Sequence, residues 1–407
     1  MHISQKNAFI ILCPKDFGKV KETLQKRVSL RGVASEKTMI CNHISVRNFR
    51  NIEAADVTFC EGVNILHGKN AQGKTNLLEA IHLVSVGRSF RGAKEAEMIG
   101  FDADIATVSV DFTDSMRRQN LTLRLQRGKK RQIEQNHVKL TRMSEMIGQY
   151  RTVLFCPEHL SIVKEGPALR RNFLDVAISQ LRPMYLHALQ RYNQILRERN
   201  QLIKNAAEDR RTFDSTAEFW SLQLAREAAV VAALRVWYLR RARGFVKTAF
   251  SEMTGGAETP ELRYIGAGFR DYGEEIYDDR EAVEKRYIEL LTAHYDREIA
   301  AGMTLWGIHR DDMELTINDR AARLFASQGQ QRSLSLALKL AEGEICREEM
   351  GDHPVFLLDD VFSELDSTRR AYLCERIAGR QIIITSCEPD LISDAARIEV
   401  SGGRFVQ

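Results

Sequence analysis

The run Gly68-Lys69-Asn70-Ala71-Gln72-Gly73-Lys74-Thr75 has the spacing G-x-x-x-x-G-K-[ST], the residue types needed to wrap a chain of phosphates. Glycine lets the backbone turn tightly enough to aim successive N–H groups at anionic oxygens. Lys74 would neutralise the phosphates, and the Thr75 hydroxyl would ligate Mg²⁺. The apolar run Val63-Asn64-Ile65-Leu66 reads as a strand leading into this loop. Leu77-Leu78-Glu79-Ala80-Ile81 reads as the helix leaving it, with its positive end toward the anions. The chemistry implied is binding of Mg-ATP. A second apolar run, Val355-Phe356-Leu357-Leu358-Asp359-Asp360, has the form of a buried parallel strand ending in two carboxylates. Asp359 would hold Mg²⁺, directly or through water. Asp360, expected on the other side of the strand end, would polarise the attacking water as a general base. Lys74 and Asp360 are the candidate catalytic residues, and Thr75 and Asp359 the candidate metal ligands.

A third feature is Ser327-Gln328-Gly329-Gln330, placed just before the helical run Leu334 to Glu342. Serine and glycine at a helix start make a second anion site, with hydroxyl and amide donors at the positive end of the dipole. One nucleotide cannot easily use two such sites from one chain. Ser327, Gly329 and Gln330 are therefore expected to reach the nucleotide of a partner molecule; the plainer alternative is an ordinary N-cap serine.

The order of phosphate loop, S-x-G-Q signature, double-aspartate strand and Ser363-Glu364-Leu365-Asp366 resembles the ABC-type ATPase heads of the SMC superfamily, and within it the RecF family. The resemblance runs from about Met39 to the C-terminus. It includes Ser45-Val46-Arg47-Asn48-Phe49-Arg50-Asn51, Gly87-Arg88-Ser89-Phe90-Arg91, Arg170-Arg171-Asn172-Phe173-Leu174-Asp175 and His309-Arg310-Asp311-Asp312. It implies an α/β fold, a mixed sheet around the phosphate-loop core with a helical second lobe and a short helical hairpin insertion. It also implies slow ATP hydrolysis, an ATP-dependent homodimer and binding of double-stranded and gapped DNA. The role implied is recombinational repair and fork maintenance, with RecR- and RecO-like mediator proteins helping to load a recombinase on single-stranded gaps. By analogy with related heads, Arg50 and Asn51 lie near the nucleotide, and Gln149 is a candidate for the loop linking Mg²⁺ to the second lobe, with a plain surface glutamine as the other reading. Two departures stand out: Ile308 replaces the usual proline before His309, and Thr385 or Ser386 takes the place of a switch histidine after Ile382-Ile383-Ile384.

These residues need elements to position them. The expected division is an extension at 1–38, an N-terminal ATPase half at 39–165, a helical lobe at 166–300 and a C-terminal half at 301–407. Residues 1–38 read as a mis-assigned start before Met39, or else as a true extension with a small helix from Phe17 to Arg27. Tyr185, Leu189, Tyr192, Leu196 and Ile203 recur at helical spacing, and a second amphipathic run goes from Phe219 to Trp237, with polar residues 207–217 between. This hairpin is too short for a coiled-coil arm, and it carries no cysteine pair for a zinc hook.

Composition narrows the classes further. No apolar run approaches the roughly 20 residues that cross a bilayer. Seven scattered cysteines with no C-x-x-C pair point to a reducing compartment, hence the cytoplasm. With Lys plus Arg at 59 and Asp plus Glu at 55, DNA affinity would have to come from local clusters. The candidates are Arg127-Gly128-Lys129-Lys130-Arg131, read as a hairpin tip for which a solvated turn is the plainer reading, with Arg88, Arg91, Arg170 and Arg171. Two alternatives use the same nucleotide motifs. One is an ABC transporter ATPase subunit, whose signature normally follows the phosphate loop more closely; the other is an ATP-binding scaffold that barely hydrolyses.

Overall fold

The computed structural model describes residues 37–206, 208–390, 392 and 394–406. The helix read at Phe17 to Arg27 lies outside them. Strands β1 (Ile40–Phe49), β2 (Ile52–Thr58), β3 (Val63–His67), β4 (Ile105–Thr113), β5 (Arg118–Gln126), β6 (Gln132–Gln135), β7 (Val138–Leu140) and β8 (Thr152–Phe155) come from the N-terminal part. β9 (Pro260–Ile265), β10 (Asp312–Ile317), β11 (Arg320–Ala321), β12 (Val355–Asp359), β13 (Ile382–Ser386), β14 (Ala396–Ser401) and β15 (Arg404–Val406) follow. They pair into an antiparallel sheet β2-β1-β4-β5-β6-β7, a small sheet β11-β10-β9, and the sheet β15-β14-β3-β13-β12-β8. In the last, every pairing is parallel except that of β15 with β14.

This parallel sheet separates two cores, and alternation along its strands feeds both. Ile383, Leu357 and Leu154 face the antiparallel sheet and the helix Lys74–Val86. Ile382, Ile384, Phe356, Leu358 and Phe155 face the helices Pro167–Leu181, Arg210–Thr254 and Gln328–Met350. Strands buried on both faces read as continuous apolar runs, which is why Val355 to Leu358 and Ile382 to Ile384 carry no polar residue. Each such aliphatic side chain contributes about 2 kcal/mol through burial.

The helical hairpin joins Pro183–Asn205 to a 45-residue helix, Arg210–Thr254. The second helix starts earlier and runs further than its apolar stripe suggested. Asp209 caps its start by accepting from the Thr212 N–H at 3.0 Å. Beyond Trp237 the exposed face turns basic, with Arg240 and Arg243 paired to Asp278 and Glu274, while Leu239, Ala242, Val246 and Phe250 carry the buried face onward. β9 pairs with β10 across the division drawn at residue 300, so the C-terminal segment first adds strands to the helical lobe.

Two of the motifs behind the family resemblance clasp one another here. Arg170 is buried and grips Asp312 with two hydrogen bonds, at 2.7 and 2.9 Å, while Arg171 donates to the Asp311 carbonyl at 2.8 Å. Asp311 lies fully buried, accepting from Tyr287 at 3.1 Å, from the Ala267 N–H at 2.7 Å and from Tyr264. Asp175 pairs with Arg235, whose guanidinium also reaches the Ile308 carbonyl. Burial pushes the His309 imidazole down to about 4, so it is neutral at pH 7 beside Tyr192. Removing one member of such a buried network strands its partner, which typically costs 3–5 kcal/mol. Arg170 and Arg171, expected as DNA contacts, are structural.

Candidate functional site

Sheet order assembles the site. β13 lies between β3 and β12, and Thr385 stands level with Leu66 on one side and Asp359 on the other. The phosphate loop therefore leaves β3 one strand away from the carboxylates that end β12. Gly68, at φ 151°, passes so close to β14 that a Cβ there would sit 2.2 Å from the Val400 carbonyl oxygen. Gly73, at φ 114°, starts the helix Lys74–Val86 in a conformation closed to most side chains. The turn at Gly402 and Gly403 pins the loop tip, donating to the Gln72 side chain at 2.6 Å and to its carbonyl at 2.9 Å.

Lys74 folds back on the carbonyls of Gly68 and Lys69, with its ammonium 3.7 Å from the Cys387 sulfur. The Thr75 hydroxyl donates to Asp359 Oδ1 at 2.8 Å, and Thr385 donates to the same oxygen at 2.8 Å. Burial holds the Asp359 carboxyl above its usual range, helped by the charges of Asp360 and Glu158 and opposed by the two threonine hydroxyls. Asp360 leaves the strand altogether. At φ 51° it caps the short helix Val361–Glu364, with its N–H on Thr385 at 2.9 Å and its exposed side chain lining the cleft.

The cleft holds about 1180 Å³ and is lined by Arg50, Asn51, the loop from Asn70 to Asn76, Arg91, Phe101, Asp360, Thr385 and Cys387, among others. Arg50 and Asn51 thus line the cleft beside the phosphate loop. Arg50 holds the fully buried Glu79 at 2.8 and 3.0 Å, and Asn51 accepts from Asn76 at 2.7 Å. This couples the β1–β2 turn to the phosphate-loop helix.

Several expectations change. Thr385 is consumed by Asp359 and the Asp360 N–H, and Ser386 is buried and accepts from the Glu388 N–H. Beside Thr385, Cys387 also lines the cleft at this strand end, donating to Asn70 Oδ1 at 3.1 Å. Gln149 precedes β8, whose Thr152 pairs with Val355, so it sits at the sheet edge opposite the phosphate loop. Glu158, just past the carboxyl end of β8, occupies the near edge instead; the run Phe155-Cys156-Pro157-Glu158, a strand followed by a helix-starting proline, was the available signal. Arg127 spends its guanidinium on the carbonyls of Ala96, Gly100 and Ala103, and Arg131 pairs with Glu95. Of the hairpin-tip cluster, Lys129 and Lys130 remain as outward charge.

Ser327 caps the helix Gln328–Met350. Its Oγ accepts from the Gln330 N–H at 3.2 Å, and the Gln330 side chain returns to the Ser327 N–H at 2.6 Å. Arg369 ties this end to the following motif, donating to the Gly329 carbonyl at 2.9 Å and the Ser333 hydroxyl at 2.8 Å and pairing with Asp366. Ser327 is exposed and does not line the cleft formed by its own phosphate loop.

The oxygens of Thr75 and Asp359 suit Mg²⁺, a hard cation that keeps waters and phosphate oxygens as its other ligands. Among the described residues no group of three or more His, Cys, Asp or Glu side chains is arranged to hold a metal, so a metal here would depend on the nucleotide. Asp359 carries a raised pKa, so its ionised form is penalised in the fold. The stability it contributes is present at low pH and lost as pH rises through that raised value. Asp359→Asn is therefore expected to melt about 2 °C higher than the native chain at pH 8 without metal or nucleotide, the gap closing toward pH 4. Differential scanning calorimetry across pH checks this, and a lower melting temperature at pH 8 would contradict it.

The phosphate loop, the double-aspartate strand and the detached signature helix on this two-core sheet define the head of an ABC/SMC-type ATPase. Residues 40–402 match the family described as RecF/RecN/SMC N terminal domain. The chain is 38% identical over 370 residues to the DNA replication and repair protein RecF of Thermoanaerobacter pseudethanolicus, covering 91% of this chain and 100% of that one. With RecF of Acetivibrio thermocellus it shares 35% over 373 residues, covering 90% and 99%. It belongs to the RecF family of DNA replication and repair proteins. A solved structure of the recombination mediator protein RecF-ATPrS in the RecFOR pathway superposes with a TM-score of 0.84 at 34% identity, covering 91% of this chain and 98% of that one. A RecF-ATP structure gives 0.80 at 34%, covering 91% and 99%. An Smc head domain from Pyrococcus furiosus, at 16% identity and a TM-score of 0.51 over 90% and 95%, shares the fold.

Proposed function

We propose that this chain is a DNA-repair ATPase that binds Mg-ATP in the cleft, pairs with a second copy in the ATP state, and holds duplex or gapped DNA until slow hydrolysis releases the pair. The observation that carries this is the one-sided cleft. The phosphate loop and Asp360 line it, while the signature serine stands exposed elsewhere on the same chain. Two copies facing each other would complete two sites.

Within each site Lys74 would leave the carbonyls of Gly68 and Lys69 for the β- and γ-phosphates. Thr75 and Asp359 would hold the metal, which supplies charge neutralisation when bound. Asp360 would orient and deprotonate a water in line with the γ-phosphate. Ser327 and Gly329 of the second copy would close the far side with hydroxyl and amide donors, and Gln330 would keep that helix start in shape through its capping contact. With Thr385 committed to Asp359 and no histidine at the strand end, slow turnover fits better than rapid cycling.

The RecFOR setting of the solved relatives supports RecR- and RecO-like mediators as partners. With them, the role we propose is recombinase loading at single-stranded gaps in the cytoplasm. DNA would be held by backbone charge, since no base-reading motif is evident. Analytical ultracentrifugation of the Asp360→Asn protein tests the proposal. A dimer with ATP, a monomer with ADP or no nucleotide, and DNA uptake that falls steeply with salt are expected. A monomer under all conditions would overturn it.

A further inference from the structure

The cleft is also lined by a segment that phosphate chemistry does not use. Besides the phosphate loop and Asp360 it is walled by Ala96, Glu97, Ile99, Phe101 and Arg127. Phe101 is 94% exposed, more than any other large apolar side chain among the described residues. Its backbone is nevertheless fixed from both sides. The Arg50 N–H donates to the Met98 carbonyl at 2.9 Å, and the Gly100 N–H to the Asn48 carbonyl at 2.7 Å. The Ala103 N–H donates to the Gly100 carbonyl at 3.1 Å. The Arg127 guanidinium then gathers the carbonyls of Ala96 and Gly100 at 3.1 Å each and of Ala103 at 2.9 Å. A ring left in water on a segment held by so many main-chain bonds is a preorganised surface, and binding to it would lose little ordering entropy.

We propose that Phe101 is the platform on which the base of the bound nucleotide stacks, with Arg127 acting as the brace that holds the platform at the cleft mouth. This rests on reading the cleft as the nucleotide site. The chemistry fits a purine: a flat π-system offset on the phenyl ring would cover apolar surface that now meets only water. Because every base has a π-face, the platform rewards a base over none, and the larger purine over a pyrimidine, without reading hydrogen-bond patterns. Specificity for adenine over guanine is not expected from it.

Equilibrium competition on the full chain with Mg²⁺ compares ATP with inorganic tripolyphosphate, which carries the phosphates and no base. Phe101→Ala is expected to weaken ATP binding about tenfold and to leave tripolyphosphate binding unchanged. Phe101→Trp should retain ATP affinity and add an indole emission quenched by ATP but not by tripolyphosphate. Lys74→Ala should weaken both ligands, which reports on the phosphate end alone. If Phe101→Ala binds ATP as the native chain does, or loses both ligands equally, the platform is wrong while the nucleotide reading stands. If the native chain binds neither ligand, the nucleotide reading falls and the platform with it.

Discussion

Asp360→Asn is expected to bind ATP within about twofold of the native chain and to hydrolyse it at least about 100-fold more slowly, the usual range for loss of a general base. The substitution is clean for a structural reason. Asp360 sits at φ 51°, in the left-handed region that asparagine tolerates well and that alanine resists. Its main-chain contacts, the N–H on Thr385 and the carbonyl accepting from Ser363 at 2.7 Å, do not involve the carboxylate. The exposed side chain makes no contact that the fold requires, so the variant should melt like the native protein. Losing a negative charge beside Asp359 should, if anything, ease burial of that carboxylate. Single-turnover hydrolysis and nucleotide binding, measured together, decide the matter. An unchanged rate would move the base elsewhere, and Glu158, the other carboxylate at this sheet edge, would be the first to test.

Ser327 should show the opposite pattern, with the effect in pairing and not in the chain's own cleft. Ser327→Arg is expected to keep ATP binding by the isolated chain and to abolish ATP-dependent dimerisation. Arginine would remove the cap, at about 1 kcal/mol, and set bulk and positive charge on the positive end of the helix. Ser327→Asp is the sharper companion. Aspartate keeps the N-cap, so the melting temperature should hold, but its charge would face the γ-phosphate of the second copy. If both variants dimerise with ATP as the native chain does, Ser327 is a cap and nothing more.

Legibility in the sequence divided along a physical line. Residues 68–75 and 355–360 announced themselves because their chemistry is local: a glycine-framed loop and two carboxylates at a strand end. The family resemblance gave the two-lobed head, and the apolar runs gave the buried strands. What stayed hidden depends on pairing between distant segments. That β13 lies between β3 and β12 commits Thr385 to Asp359 and leaves Cys387 facing Lys74, and nothing in Ile382 to Cys387 alone says so. The register of β8 against β12 removes Gln149 from the site and brings Glu158 to it.

Charge misled for the same reason. Arg127, Arg131, Arg170 and Arg171 read as outward positive charge, yet their partners Gly100, Glu95, Asp312 and Asp311 lie well away in sequence. Phe101 gave no signal at all, since a single phenylalanine after a glycine has no periodicity; only exposure at the cleft mouth singles it out. The helix Arg210–Thr254 runs past the stripe read to Trp237 because Leu239, Ala242, Val246 and Phe250 carry its buried face onward, with Arg240 and Arg243 pairing to Asp278 and Glu274 along its side.

If one chain supplies the phosphate loop and another the signature, mixing two inactive variants should restore hydrolysis. Lys74→Ala lacks a working phosphate loop but keeps Ser327; Ser327→Arg keeps the loop and lacks the signature. Each alone should show no ATP hydrolysis above background. Mixed in equal amounts with ATP and gapped duplex DNA, they would form mixed pairs with one complete site each, and because neither variant pairs with itself, hydrolysis should return to as much as about half of the native rate. A mixture as inactive as its two components, although ultracentrifugation shows that the variants pair, would contradict the shared site.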